Sequence, residues 1–169
     1  MKDKIDELLK ENMSPECFDL YYKLHIPLDQ LTSSSGKFHQ RLNGSIPTQG
    51  EHIYNMLGTA IKMKQTLDIN FDLVLIAIVI HDIFKYGYFG LREKSNYEHD
   101  RMGADAIKES SMVFKGVFNG DEVRMLENAV RFHMGRFSND FQDYSQMSPL
   151  AWFLFFLDMG DTNNAIKGD

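Results

Sequence analysis

The chain has little cysteine, no long apolar run and no excess of basic charge, and each shortage argues against a class of protein. A single cysteine, Cys17, excludes an internal disulfide and is typical of a reducing cytosol. The longest apolar run is far shorter than the roughly 20 residues that span a bilayer. The net charge of −6 argues against general nucleic-acid binding, which usually needs a basic face. We therefore expect a cytoplasmic protein that binds neither membranes nor nucleic acid.

The hydropathy pattern predicts a single all-α domain. At 169 residues the chain is long enough to bury a core without disulfides. Apolar residues recur at helical spacing, and no strand-like alternation extends beyond a few residues. We expect a compact bundle of about six to eight helices, with residues 1–46 as an N-terminal helical extension and residues 47–165 as the core. The pattern leaves the oligomeric state open.

Helix start and stop signals give approximate bounds for these helices. Pro15, Pro47 and Pro149 each suit the first turn of a helix, since the missing N–H is not needed there. Asn70 or Asp72 can cap a central helix, and Asn119 or Asp121 can cap a later one. The predicted helices cover residues 3–12, 15–26, 47–67, 99–110, 121–134 and 149–166, together with the central one.

The central helix belongs to an almost unbroken apolar stretch, residues 71–85, that closes on His81 and Asp82 with Lys85 just beyond. Residues 73–80 contain no polar side chain, so this segment must be buried in a soluble protein. Burying a charged carboxylate is costly unless it is paired or bound to a metal. The His81–Asp82 pair is therefore either satisfied by its neighbours or part of the functional site.

Other apolar helices also carry a lone imidazole or carboxylate where a hydrophobic residue would be expected. The set is His52, His81, Asp82, His99, His133 and Asp158. Histidine nitrogens and carboxylate oxygens are ligands for Zn, Mn, Fe and Co, and inward-facing helices can supply them together. Taken singly, His52 and His133 are better explained as packed or solvent-edge residues, and Asp158 can be a buried hydrogen-bond acceptor. Asp161 we expect to be a surface residue near a helix end.

The order of these residues and their local context resemble the HD superfamily of metal-dependent phosphohydrolases. Five segments match its motifs in order across about residues 47–165: GEHIYNML, IVIHDIFK, EHDRMGADAI, VRFHMGRF and FFLDMGD. The resemblance implies that four residues are the shared metal ligands: His52, His81, Asp82 and Asp158. His99 and His133 match the extra histidines of members that bind two metals bridged by the aspartate. We therefore expect two divalent transition metals per chain, Fe, Mn or Co, with Zn also accepted by such ligands, and a single metal per chain stays the alternative.

The same resemblance implies hydrolysis of a phosphoester or phosphoanhydride by metal-activated water, in which Asp82 and Lys85 are the catalytic residues. Nucleotides are the commonest substrates of the family, so a nucleotide or dinucleotide is the expected substrate. Some members with two irons are oxygenases with the same ligands, and that reaction stays an alternative. A second alternative is a non-catalytic protein that binds a nucleotide.

Several cations and aromatic residues are candidates for substrate binding. Lys85 follows His81 by one turn and can meet a phosphate oxygen, and arginine binds phosphate in a bidentate manner. The candidates are Lys85, Arg92, Arg131, Arg136 and, for stacking on a base, Tyr88. Taken singly, each arginine is better explained as a solvated surface charge. The alternative for Lys85 is a surface lysine at a helix end, and Tyr88 is explained equally well as a residue that packs its loop.

Overall fold

The computed structural model describes residues 1–33, 44–87 and 92–167. Across these ranges the chain forms eight α-helices and no β-strand, which confirms the all-α prediction. The helices are α1 Lys2–Asn12, α2 Pro15–Lys23, α3 Gln49–Met63, α4 Phe71–Ile80, α5 His99–Glu109, α6 Ser111–Phe114, α7 Gly120–Phe132 and α8 Pro149–Lys167. None of the helices in the described ranges is long and apolar enough to cross a membrane.

Helix α4 is the centre of the bundle. It packs against α2, α3, α7 and α8, and every side chain of residues 73–80 is buried. A helix that is apolar on all sides is stable in water only when other helices cover it completely. The buried side chains of α1 to α8 form one continuous core around it, from Ile5 to Leu157. The proposed division of the chain at residues 46 and 47 stays a prediction.

Asp72 joins the N-terminal helices to α4. Asn70, not Asp72, caps α4, and its side chain accepts a hydrogen bond from the Asp72 N–H at 3.1 Å. The Asp72 carboxylate instead accepts from the backbone N–H of Ser14 at 3.2 Å and from the Ser14 hydroxyl. Ser14 is the N-cap of α2, so one carboxylate fixes the start of α2 against the start of the central helix.

Several helix bounds differ from those predicted. Helix α2 ends at Lys23, before Pro27, because His25 adopts a left-handed conformation with φ of 47°. Helix α3 begins after Pro47, because Thr48 is its N-cap in a reciprocal capping box with Glu51. Helix α4 ends at Ile80, so the metal-ligand candidates that follow it lie in a turn. The short helix α6 was not predicted, since it has no periodic pattern of its own.

The segment between α7 and α8 is held by a glycine and an asparagine. Gly135 has a φ of 54°, and a Cβ there would come within 2.7 Å of the Phe155 ring. Both the conformation and the close approach therefore require glycine. The Asn128 side chain donates to the Gln146 carbonyl at 2.8 Å and accepts from the Ser148 N–H at 2.7 Å. These contacts set where α8 begins, and with it the position of Asp158.

Candidate metal centre

The four core histidines lie within α3 or at helix ends, and all are buried. His52 lies in the first turn of α3, His81 directly follows α4, His99 begins α5, and His133 directly follows α7. The C-terminal end of a helix suits a candidate ligand such as His81 or His133, because the last carbonyl groups have no partner within the helix and can orient a side chain.

Three of these imidazoles share one orienting contact, in which Nδ1 meets the backbone carbonyl three residues earlier. The pairs are His81 with Ile78 at 2.7 Å, His99 with Asn96 at 2.6 Å and His133 with Val130 at 2.7 Å. A carbonyl oxygen only accepts hydrogen bonds, so each Nδ1 carries the proton. In a neutral imidazole the lone pair is then on Nε2, the atom that would bind a metal.

His52 is oriented by a carboxylate instead. Its Nδ1 donates to Asp161 Oδ2 at 2.6 Å, and the other Asp161 oxygen accepts from the Asn55 amide at 3.0 Å. The expectation that Asp161 is a surface residue is wrong: it lies one turn after Asp158 on α8, and only 11% of its side chain is exposed. A carboxylate behind a histidine is a common support for a metal ligand, because it fixes the ring and raises its basicity.

The Nε2 atoms meet in two pairs. Those of His52 and His81 are 3.3 Å apart, and those of His99 and His133 are also 3.3 Å apart. Two nitrogen lone pairs repel each other at this distance unless a proton or a metal ion lies between them. Burial lowers the pKa of His81 to about 3, so its ring is neutral and able to bind a metal at neutral pH.

Asp82 connects the two pairs. Its Oδ1 lies 2.8 Å from His99 Nε2 and 3.5 Å from His133 Nε2, whereas Oδ2 lies 3.6 Å from His81 Nε2 and contacts the Lys85 ammonium. The carboxylate is buried, and Oδ1 accepts no hydrogen bond of good geometry. Although burial disfavours its charged form, Lys85 and the histidines hold the pKa of Asp82 well below its usual range.

These residues form two groups whose candidate ligand atoms lie within 4.8 Å of one another. One group is His52, His81 and Asp82, and the other is Asp82, His99 and His133. Asp158 adjoins the first group, with Oδ1 3.2 Å from His52 Nε2. Despite burial, hydrogen bonds with Asp158 and Asp161 raise the pKa of His52 to about 9.

The donor set fits divalent transition metals. It offers imidazole nitrogens with their lone pairs directed inward, one shared carboxylate with an unsatisfied buried oxygen, and a second carboxylate at the edge. Nitrogen and oxygen ligands of this kind suit Mn, Fe, Co and Zn. All six residues predicted as metal ligands therefore lie together, and their role as ligands stays a prediction.

The predicted substrate-binding residues do not lie together as the candidate metal ligands do. Lys85 is 12% exposed and paired with Asp82, so it lies at the centre rather than in solvent. The guanidinium of Arg131 instead donates to three carboxylates, at 2.7 to 3.2 Å: Asp105, Asp140 and Glu127. Its donors are engaged within the protein, and the prediction that Arg131 binds phosphate gains no support from this position.

The remaining candidates lie at the surface or outside the described residues. Arg92 is exposed, with its aliphatic stem 3.3 Å from the position of a Cβ on Gly87. Arg136 is also exposed, and its guanidinium lies 5.2 Å from the centre of the Phe137 ring. Both stay predictions. Tyr88 lies outside the residues that the structure describes.

The sequence analysis missed two features that hold the ligands. One is Asp161, whose signal was its spacing of one helical turn from Asp158, on the same face of α8. The other is Gln49, which is buried and donates its side-chain amide to the Asp82 backbone carbonyl at 3.4 Å. A glutamine in the first turn of a helix is ordinary at the surface, so no pattern in the sequence marked it.

Comparison with known proteins gives one match. The family model described as HD domain matches residues 50–161, which include every candidate ligand and Asp161. No curated protein matches the chain, and no solved structure matches it.

Proposed function

The chain belongs to the HD-domain family, and on that premise we propose that it is a metal-dependent phosphohydrolase acting on a small phosphorylated molecule. The nucleotides and dinucleotides named in the sequence analysis are the proposed substrate class. The observation that carries the proposal is the position of Asp82, whose two oxygens face separate histidine groups while Lys85 contacts the same carboxylate.

The charges around Asp82 suit a phosphate ester. Two divalent metals, when bound there, would supply activated water and would polarise the phosphoryl oxygens. Lys85 adds a fixed ammonium beside the carboxylate shared by the two groups, where it can donate to a phosphate oxygen and balance charge that develops in the transition state. The low exposure of Lys85 reduces solvent screening of that contact.

The other groups hold these parts in position. Asp161 fixes the His52 ring, and backbone carbonyls fix the rings of His81, His99 and His133. Because these supports come from α4, α7, α8 and the segment before α5, the packing of the bundle presets the geometry of the candidate ligands. A preset site needs little reorganisation when substrate binds.

The test is a hydrolysis screen over mono-, tri- and dinucleotides, with Mn²⁺, Co²⁺ and anaerobic Fe²⁺ supplied separately. Asp82→Ala is the blank, because it removes the residue common to both groups. Product release that disappears in the blank would establish the hydrolase and show which bond is cut. If no nucleotide is hydrolysed although metal is bound, and the Fe²⁺ form consumes oxygen, the oxygenase alternative is favoured. Nucleotide binding without turnover under every condition would favour the binding protein.

A further inference from the structure

A cavity separate from the candidate metal centre lies against the turn that carries His81 and Asp82. It is a cavity of about 700 Å³ between the end of α2, residues 80–84 and helices α5 and α6. Small-molecule sites in proteins typically enclose about 300–1,000 Å³. None of the candidate metal ligands lines it. The cavity and the metal centre therefore share a turn but no side chain.

The walls of the cavity are mainly apolar. Its apolar lining includes Leu24, Ile80, Ile83, Phe84, Ile107 and Phe114. Room for a ligand comes from two short side chains one turn apart, Ala106 on α5 and Ser110 directly after α5. An apolar chain or ring would remove this surface from water, at a gain of roughly 25 cal/mol for each Å² that is buried.

The ionisable groups at the mouth are both basic. Among the described residues that line the cavity, Lys23 and His25 are the only ones that can carry charge, and both are exposed. This local excess stands out in a chain with a net charge of −6. The mouth therefore favours an anion over a cation by simple electrostatic complementarity.

The backbone holds His25 at this place. Its φ of 47° lies in the left-handed region, which is uncommon for a residue other than glycine. The imidazole Nδ1 donates to the Lys23 carbonyl at 2.9 Å, so the ring covers the end of α2. The contact occupies the Lys23 carbonyl, whose partial negative charge would otherwise repel an anion. It also directs Nε2 of the ring away from the end of α2.

We propose that this cavity binds a small amphipathic anion, with its apolar body against α5 and residues 80–84 and its charged end at Lys23 and His25. The proposal does not depend on the reaction at the metal centre. A carboxylate on a medium-length alkyl chain is the simplest molecule with this chemistry, and it serves as the probe.

The test is a titration of the full chain with decanoate and with decylamine, followed by the backbone NMR signals of residues 83, 84, 106 and 110. We expect saturable binding of decanoate, with shifts centred on these residues, and weaker binding of decylamine. Lys23→Glu should weaken decanoate binding by about fivefold, in the range of a partly exposed charge interaction. Lys108→Glu, the same charge change at an exposed α5 position that does not line the cavity, should have no effect.

A blocking variant separates this cavity from other apolar surface. Ala106→Phe should abolish decanoate binding, whereas Thr59→Phe, which places the same ring at an exposed site on α3, should not. If Ala106→Phe does not fold, Ser110→Phe blocks the cavity from an exposed position. Equal binding of the two probes, or no binding at all, would overturn the proposal. So would decanoate binding that persists in the blocked variant and is lost in His133→Ala, because it would place the probe at the metal centre.

Discussion

The carboxylate of Asp161 lies 2.6 Å from Nδ1 of His52, although 109 residues separate them in the chain. On the opposite side of the same ring, Nε2 faces His81 and Asp158. The imidazole is therefore held between two carboxylates of α8, one that orients it and one beside Nε2, its candidate ligand atom. This arrangement makes α8 as important to the site as the turn that carries His81 and Asp82.

We expect Asp161→Asn to weaken binding of Co²⁺ by about 10- to 100-fold, because the residue behind a histidine ligand sets its orientation and basicity. Circular dichroism should show an unchanged helical signal. The measurement is a Co²⁺ titration followed by visible absorption. Asp121→Asn is the matched control, since that carboxylate is 83% exposed and pairs with Arg124 rather than with a histidine. Equal affinity in wild type and Asp161→Asn would show that the contact has no role in metal binding.

The two ligand groups predict distinct metal contents. His99→Ala and His133→Ala should each lose about one of two metals per chain, because each belongs to the second group alone. Asp82→Ala should lose both, because its carboxylate belongs to both groups. Metal per chain is measured by inductively coupled plasma mass spectrometry after gel filtration. Full metal content in Asp82→Ala would show that the site is misassigned, and unchanged content in both histidine variants would make those histidines packing residues.

The buried thiol predicts a loss of stability at high pH. Burial, with a smaller effect of Asp72, raises the pKa of Cys17 to about 12, compared with about 8.5 in an unfolded chain. The folded form keeps the proton longer, so this contribution is complete below the unfolded pKa and is lost as pH rises toward 12. Between pH 8 and pH 10 we expect the free energy of unfolding to fall by about 1–2 kcal/mol on this account.

The measurement for Cys17 is urea unfolding at both pH values in the presence of a reducing agent, with Cys17→Ala as the reference. Other groups that titrate in this range affect both proteins equally, so the difference between them isolates the thiol. The native thiol should also resist iodoacetamide at pH 8, because the thiolate is the reactive form. The same pH dependence in both proteins would contradict the prediction.

The central helix predicts a sharp contrast between buried and exposed positions. Ile76→Ala should lower the free energy of unfolding by about 2–5 kcal/mol, because Ile76 is fully buried in α4 and its loss leaves a cavity. Met112→Ala, at a side chain that is 80% exposed, should change it by less than about 0.5 kcal/mol. Urea unfolding followed by circular dichroism measures both. A small effect at Ile76 would mean that the core relaxes around the deletion.

The helical class and the set of candidate ligands could be predicted because both are visible as patterns within short stretches of the sequence. Apolar residues at helical spacing indicate a buried helix face, and a lone histidine or aspartate on such a face stands out. No sequence pattern indicates that α4 ends at Ile80, since the apolar residues continue through Ile83 and Phe84. The apolar pattern therefore could not predict where that helix stops.

Long-range partners were likewise hidden in the sequence. Arg131 looked like a candidate for phosphate binding, but Asp105 and Asp140 come from other parts of the chain and take its donors. Asp161 was predicted to be a surface residue, because the sequence does not show that α3 packs against α8 and brings His52 next to it. A side chain whose partner is distant in sequence cannot be assigned from its neighbours alone.

The membership of Asp82 in both ligand groups also has a consequence for the lifetime of the folded state. Its two groups draw candidate ligands from α3, from the turn after α4, from α5 and from the end of α7. Ions bound there would act as cross-links between segments that are distant in sequence, and no one of these helices could detach without breaking a metal–ligand bond. The lifetime of the native state, and its resistance to proteases, would then follow the rate of metal release rather than the strength of the apolar core.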